Sequence, residues 1–296
     1  MMRGLRRHAD EPMSPSPTAL PPIAFIGGGN MARALIGGML RGGASPAAIH
    51  VSEPYAPNRE GLAAEFGVTV TEDNAAAASK TPVWVLATKP QVLRGVCAAL
   101  APLAQAQRPL VVSIAAGISS AQIDRWLGGG IAVVRSMPNT PALLGAGVTG
   151  LYATLATTPA QKALADALLR PAGETVWIED EALMDAVTAT SGSGPAYVFL
   201  LAEAMQAAAE AEGLSAEAAR TLVVETIAGA ARMLKESGES ATTLRQRVTS
   251  PNGTTQAALD AFAAGGFTPL VARAVHAARI RGAELSAAHD GTEPHA

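Results

Sequence analysis

The chain lacks the residues that build disulfide frameworks, metal clusters and membrane spans. Of its 296 residues one is a cysteine, Cys97, so no disulfide can close within the chain and no thiolate cluster can form. The histidines are His8, His50, His276, His289 and His295, and none pairs with another at metal-ligand spacing on a helix, so no metal site is expected. Lysine is reduced to Lys80, Lys89, Lys162 and Lys235. The net charge is −3 and the isoelectric point lies near 6.0. With no basic stripe, nucleic acid is not an expected partner. No apolar run approaches the roughly 20 residues of a membrane span; the richest, 196–202, is interrupted by Glu203. Arg3, Arg6 and Arg7 open the chain, but no apolar core precedes Pro12, so a secretory signal is not expected and the cytoplasm is the expected compartment. Residues 1–21, rich in Pro, Ser and Arg, are expected to be disordered, as is the polar tail 288–296; Met13 is a second candidate start.

What is present suffices for a large core. The chain is 49% hydrophobic and 16% charged, which suits one large domain or two of ordinary size. Short apolar runs recur at 23–26, 49–52, 68–70, 83–87, 110–114 and 131–135, with helical periodicity between them. Continuous apolar strands alternating with helices predict a parallel sheet covered on both faces, an α/β doubly wound fold. Two more strands are expected at 148–153 and 174–178. After about Asp180 the alternation stops, and helices are expected at 182–190, 195–212, 215–236, 242–248, 254–264 and 269–287. The expected division is 22–180 for the sheet domain and 181–287 for an all-helical domain. Leu222, Val223, Val224, Ile227, Met233 and Leu234 spread apolar surface around more than one face of a helix. Such a helix needs cover on all sides, so the second half is expected to pack against another subunit as a homodimer or larger assembly.

Gly27-x-Gly29-x-x-Ala32 follows the first strand and opens the first helix. In that context Gly27 permits a tight turn, Gly29 lets the backbone approach a pyrophosphate, and Ala32 keeps helix and strand close. The pyrophosphate would rest on the helix N-terminus at Asn30 and Met31. Glu53 follows the second strand, where a carboxylate would hydrogen-bond the ribose of NAD; Arg59, close by, could instead pair the extra phosphate of NADP. The two signals conflict. Lys89 ends the fourth strand, where it could face the cofactor or a substrate carboxylate or be a plain surface lysine.

The run Ser250-Pro-Asn-Gly-Thr-Thr255 cannot continue a helix, because Pro251 expels its predecessor from helical geometry and Asn252-Gly253 is a turn pair. Thr254 then starts a new amphipathic segment. A turn feeding a helix start leaves amides unpaired and pointing one way, which suits a carboxylate. The hydroxyls of Thr254 and Thr255 stand beside them.

Six segments, in order, resemble the pyrroline-5-carboxylate reductases: Phe25-Ile-Gly-Gly-Gly-Asn-Met-Ala32, Thr88-Lys-Pro90, Ser113-Ile-Ala-Ala-Gly-Ile118, Arg135-Ser-Met-Pro-Asn-Thr-Pro-Ala142, Ser191-Gly-Ser-Gly-Pro-Ala-Tyr197 and Val248-Thr-Ser-Pro-Asn-Gly-Thr-Thr255. The resemblance implies a Rossmann-type domain followed by an all-helical dimerisation domain. It implies reduction of 1-pyrroline-5-carboxylate to L-proline with NADPH or NADH, NADP being favoured. It also implies that Ser250, Asn252, Gly253, Thr254 and Thr255 bind the substrate, with Thr255 at the ring nitrogen as the catalytic residue, and that Gly27, Gly29, Asn30, Met31, Lys89, Ala115 and Asn139 line the cofactor cleft. The family usually carries Gly-Gly where this chain has Asn252-Gly253; asparagine tolerates left-handed backbone.

Two rivals remain at this level. A β-hydroxyacid dehydrogenase has a similar layout but typically uses a lysine early in the second domain, and 182–212 contains none. A cofactor-binding scaffold without turnover would keep Gly27 and Gly29 but would not need the 250–255 loop.

Overall fold

The computed structural model describes residues 20–290. Its centre is one eight-stranded sheet ordered β3-β2-β1-β4-β5-β6-β7-β8. The strands are β1 Ile23–Ile26, β2 Ile49–Ser52, β3 Thr69–Thr71, β4 Val83–Leu86, β5 Leu110–Ser113, β6 Ala132–Met137, β7 Gly147–Ala153 and β8 Gly173–Trp177. The helices of this half are α1 Asn30–Arg41, α2 Ala56–Phe66, α3 Asn74–Ala78, α4 Pro90–Gln107, α5 Ser120–Trp126 and α6 Pro159–Leu169. They cover both faces, so the central strands β1, β4 and β5 are buried along their whole length and two separate cores form. One gathers Phe25, Leu35, Ile36, Met39, Val51 and Leu62. The other gathers Ile26, Trp84, Leu93, Cys97, Leu100 and Ile123. Trp84 is fully buried because its indole N–H is shared between the carbonyls of Ala78 and Thr81, both at 3.1 Å.

The expectation of an all-parallel sheet needs one correction. β6 and β7 pair antiparallel, with Arg135 opposite Tyr152. Between them lies only a proline-bounded loop with a 3₁₀ turn, Thr140–Leu144. A parallel return needs a crossover of a dozen or more residues, which that loop cannot supply. The α6 crossover can, and β8 pairs parallel to β7.

The helical half comprises α7 Met184–Val187, α8 Gly194–Ala211, α9 Ala216–Glu236, α10 Ala241–Arg247, α11 Thr254–Ala264 and α12 Phe267–Asp290. The expected helix over 182–190 is instead three short pieces: a 3₁₀ turn Glu181–Leu183, α7, and a π turn Thr188–Gly192. Hydroxyls explain the widening, since Thr188 Oγ1 donates to Met184 O and Ser191 Oγ to Val187 O, each at 3.0 Å. The Ser193 amide then reaches back to Thr188 O at 2.8 Å. Residues 288–290, expected in a disordered tail, belong to α12, whose alanine-rich last turns favour helix. The rest of that tail and residues 1–19 lie outside the described residues; Leu20 packs against the first core.

This half has almost no core of its own. No residue of α8 or α11 is buried, and α9 buries only Ala219 and Val223. Phe199 is 67% exposed and Leu200 65%. An apolar groove of about 480 Å³, lined by Val198, Leu201, Phe262, Phe267, Leu270 and Val271, runs between α8 and the last two helices.

Candidate active site

The strand order reverses between β1 and β4, and the glycine turn sits at the carboxyl end of that crevice, where open sheets bind ligands. Gly27 has φ +104°, and a Cβ there would lie 2.6 Å from Ala87 O, so only glycine fits. Its amide donates to Ser52 O at 2.8 Å, fixing the turn to β2. Gly29 is different, for a Cβ there would meet nothing within 4 Å. It is the N-cap of α1 and no side chain caps the helix. The first α1 amide paired back is Arg33, to Gly29 O at 2.9 Å. The amides of Asn30, Met31 and Ala32 are therefore left for a ligand. Thr88, after β4, holds a buried Oγ1 with no partner among the described residues. Open space over Gly29, free amides and an orphaned hydroxyl fit a pyrophosphate and its sugars.

The remaining expected cofactor residues lie on the segments that follow β2, β4, β5 and β6, with differing contacts. Glu53 is buried; its Oε2 accepts from the Gly28 amide and its Oε1 from the Tyr55 amide, both at 2.9 Å. Arg59 turns its Nη1 onto Glu53 O at 2.9 Å and Pro54 O at 3.2 Å. Lys89 is the exposed N-cap residue of α4. Ala115 is buried after β5, its amide on Ser113 Oγ at 3.3 Å. Asn139 links the halves: Nδ2 donates to Ser191 O at 3.1 Å and Oδ1 accepts from the Val148 amide at 3.0 Å. Beside it an open cavity of about 540 Å³ is lined by Asn139, Val148, Thr190, Ser191, Pro195 and Tyr197.

The 250–255 loop has the geometry expected of it. Asn252 adopts φ 60°, the left-handed conformation that a turn here requires. Gly253 is the N-cap of α11, with no side-chain cap. Its amide closes the turn on Ser250 O at 3.0 Å, and the first α11 amide paired back is Ala257, to Gly253 O at 3.1 Å. The amides of Thr254, Thr255 and Gln256 stay free. Ser250, Asn252 and Thr254 are exposed and Thr255 is half-buried. α11 packs on α12, and no residue of the loop lines the cavity beside Asn139.

The chain matches the family model described as pyrroline-5-carboxylate reductase dimerisation over residues 181–285. Residues 22–117 match the model described as NADP oxidoreductase, coenzyme F420-dependent. It is 51% identical to a pyrroline-5-carboxylate reductase of Pseudomonas aeruginosa over 90% of this chain and 97% of that one. The chain belongs to the pyrroline-5-carboxylate reductase family. A relative of that name in Haemophilus influenzae is 43% identical, over 89% of this chain and 97% of its own. Among solved structures, the reductase from Coxiella burnetii superimposes with a TM-score of 0.87 at 41% identity, covering 90% of this chain and 98% of that chain. The Plasmodium falciparum reductase with NADP bound gives 0.79 at 27% identity, covering 89% and 97%. Membership makes this an NAD(P)H-dependent oxidoreductase with a dimerisation domain and removes both rivals. Among the described residues no helix is long and apolar enough to cross a membrane.

A part-buried charge cluster, which the sequence patterns above do not predict, stands where the halves join. Arg135 on β6 reaches Glu181 Oε1 at 3.3 Å and Asp185 Oδ1 at 3.5 Å. Glu181 also accepts from the amide and the hydroxyl of Ser120, each at 2.6 Å. The sequence does carry a signal for it: an arginine directly after the apolar run 131–134, and two carboxylates four residues apart at the domain junction.

Proposed function

We propose that this chain reduces the C=N bond of 1-pyrroline-5-carboxylate to L-proline with hydride from NAD(P)H, in a site that two protomers build together. One observation carries the reading: α11 opens with three free amides and two threonine hydroxyls, in a half that buries almost nothing by itself. The amides would take the substrate carboxylate and Ser250, Asn252, Gly253 and Thr254 would shape its seat, while the Thr255 hydroxyl would hold the ring nitrogen. Gly27, Gly29, Asn30, Met31, Glu53, Arg59, Lys89, Ala115 and Asn139 form the cofactor cleft in this reading.

The chemistry needs little beyond placement. A protonated imine is already electrophilic, and the bound nicotinamide supplies the hydride. The protein's part is to hold the imine carbon within reach and keep the nitrogen oriented as its positive charge disappears. No catalytic histidine, cysteine or lysine is required, consistent with a loop that offers only amides and hydroxyls.

The 250–255 loop packs within the helical half, so the reading seats it against the cofactor cleft of a second copy. The apolar faces of α8 and α12 provide the means of association. The proposed division is 22–180 for the dinucleotide domain and 181–287 for the substrate and dimer domain, in a cytoplasmic enzyme without nucleic-acid or membrane partners. The direct test is loss of nicotinamide absorbance on addition of 1-pyrroline-5-carboxylate, with proline as product. No consumption with either cofactor would reject it.

A further inference from the structure

The end of β2 meets the glycine turn through Glu53, and this contact bears on which dinucleotide the chain takes. The Glu53 carboxylate is fixed by two amides from different segments, Gly28 and Tyr55, each at 2.9 Å. It is 8% exposed and lies beside the glycine turn, where a Cβ on Gly29 would meet nothing within 4 Å. An ionised carboxylate offers about four lone-pair sites. Two are used here, and the others are free to accept hydroxyl protons.

The nearest positive charges are already engaged by protein groups. Arg59 places Nη1 on the carbonyls of Glu53 and Pro54, with Glu72 3.9 Å away. Arg33, on the neighbouring face of α1, is paired with Glu65. A ribose 2′-hydroxyl is a donor that a carboxylate welcomes. A 2′-phosphate brings about 1.5 to 2 negative charges and no proton to share at neutral pH. Set against a buried, anchored carboxylate, it meets repulsion, and Arg59 Nη1 and Arg33 are already held by the Glu53 and Pro54 carbonyls and by Glu65.

We infer that this chain prefers NADH to NADPH, and that Glu53 sets the preference by accepting from the free 2′-hydroxyl and repelling a 2′-phosphate. The inference rests on the reading that the turn at Gly27 and Gly29 holds the dinucleotide. It goes beyond that reading, which admits both cofactors, and beyond the family resemblance, which favours NADP.

The test is a fluorescence titration of the purified full chain with NADH and NADPH, without substrate. Wild type should bind NADH more tightly by on the order of tenfold, as expected when a site presents a like charge to the wrong ligand. Added salt should narrow the gap, because the penalty is electrostatic. Glu53→Ser should abolish or invert the ratio. Glu53→Asp, which keeps the charge, should preserve its sign and serves as the working comparison if Glu53→Ser does not fold. Equal or tighter NADPH binding by wild type overturns the inference, as does an unchanged ratio in Glu53→Ser; either result leaves the cleft assignment intact. If Gly29→Val binds both dinucleotides like wild type, the cleft assignment itself fails, and this inference with it.

Discussion

Asn139 joins the two halves of the protomer through one amide: its Nδ2 holds Ser191 O in the π turn at 3.1 Å while its Oδ1 holds the Val148 amide of β7 at 3.0 Å. Asn139→Ala leaves a carbonyl and an amide unsatisfied at a half-buried junction. The expected loss of stability is about 1–3 kcal/mol, read from urea unfolding midpoints. A midpoint equal to wild type would show that the link carries no weight.

Arg135 should be less dispensable. It is 6% exposed and faces two carboxylates at the junction. Arg135→Met strands those carboxylates beside each other, and removing one member of such a buried set costs about 3–5 kcal/mol. Replacing Glu181 and Asp185 as well should recover part of that loss, measured by a mutant cycle in chemical denaturation. No recovery would mean the three groups do not act together.

Asp166 gives a pH signature. Burial raises its pKa, but hydrogen bonds from Thr175 and Arg170 and the charge of Arg170 outweigh that and hold the carboxyl below the ordinary carboxylate value. Arg170 Nε and Thr175 Oγ1 both sit 2.5 Å from it. The sign follows from linkage. With its folded pKa depressed, Asp166 stabilises the fold above the unfolded value of about 3.9 and loses that effect as pH falls through the folded pKa. The stability difference between wild type and Asp166→Asn should therefore be flat from neutrality down to about pH 5 and shrink in stronger acid. A difference that grows on acidification would reverse the assignment.

Thr255→Ala should separate binding from chemistry. The hydroxyl belongs to the helical half, away from the glycine turn, so the dissociation constant for the cofactor should be unchanged. Turnover should fall on the order of hundredfold to thousandfold, the range for losing one oriented donor at the reacting centre. Wild-type turnover in this variant would remove Thr255 from the mechanism.

Much of this was legible from residue order. Apolar strands ended by Gly27 and Lys89-Pro90, with a helix between them stopped at Gly42, announce a covered sheet, and the strand boundaries match within a residue or two. The direction of β7 was hidden, because an isolated strand reads the same in either direction and only the short 138–146 connection decides it. The π turn was hidden too, since Thr188 and Ser191 carry the ordinary helical pattern until their hydroxyls compete for backbone carbonyls. In the site, the free amides at Thr254 and Thr255 were readable from Asn252-Gly253. The anchoring of Glu53 on Gly28 was not, because it joins residues 25 apart through a contact that no local pattern encodes.

The central claim is that hydride donor and substrate seat come from different protomers. Mixing two inactive variants tests it directly. Gly29→Val should fold, since its Cβ enters open space, yet block the cofactor; Thr255→Ala keeps the cofactor and loses the nitrogen contact. Refolded together in equal amounts, they should regain about a quarter of wild-type activity, because random pairing makes half the dimers mixed and each mixed dimer holds one intact site. A mixture that shows no more activity than its two parents would place both halves of the site in one protomer and contradict the account.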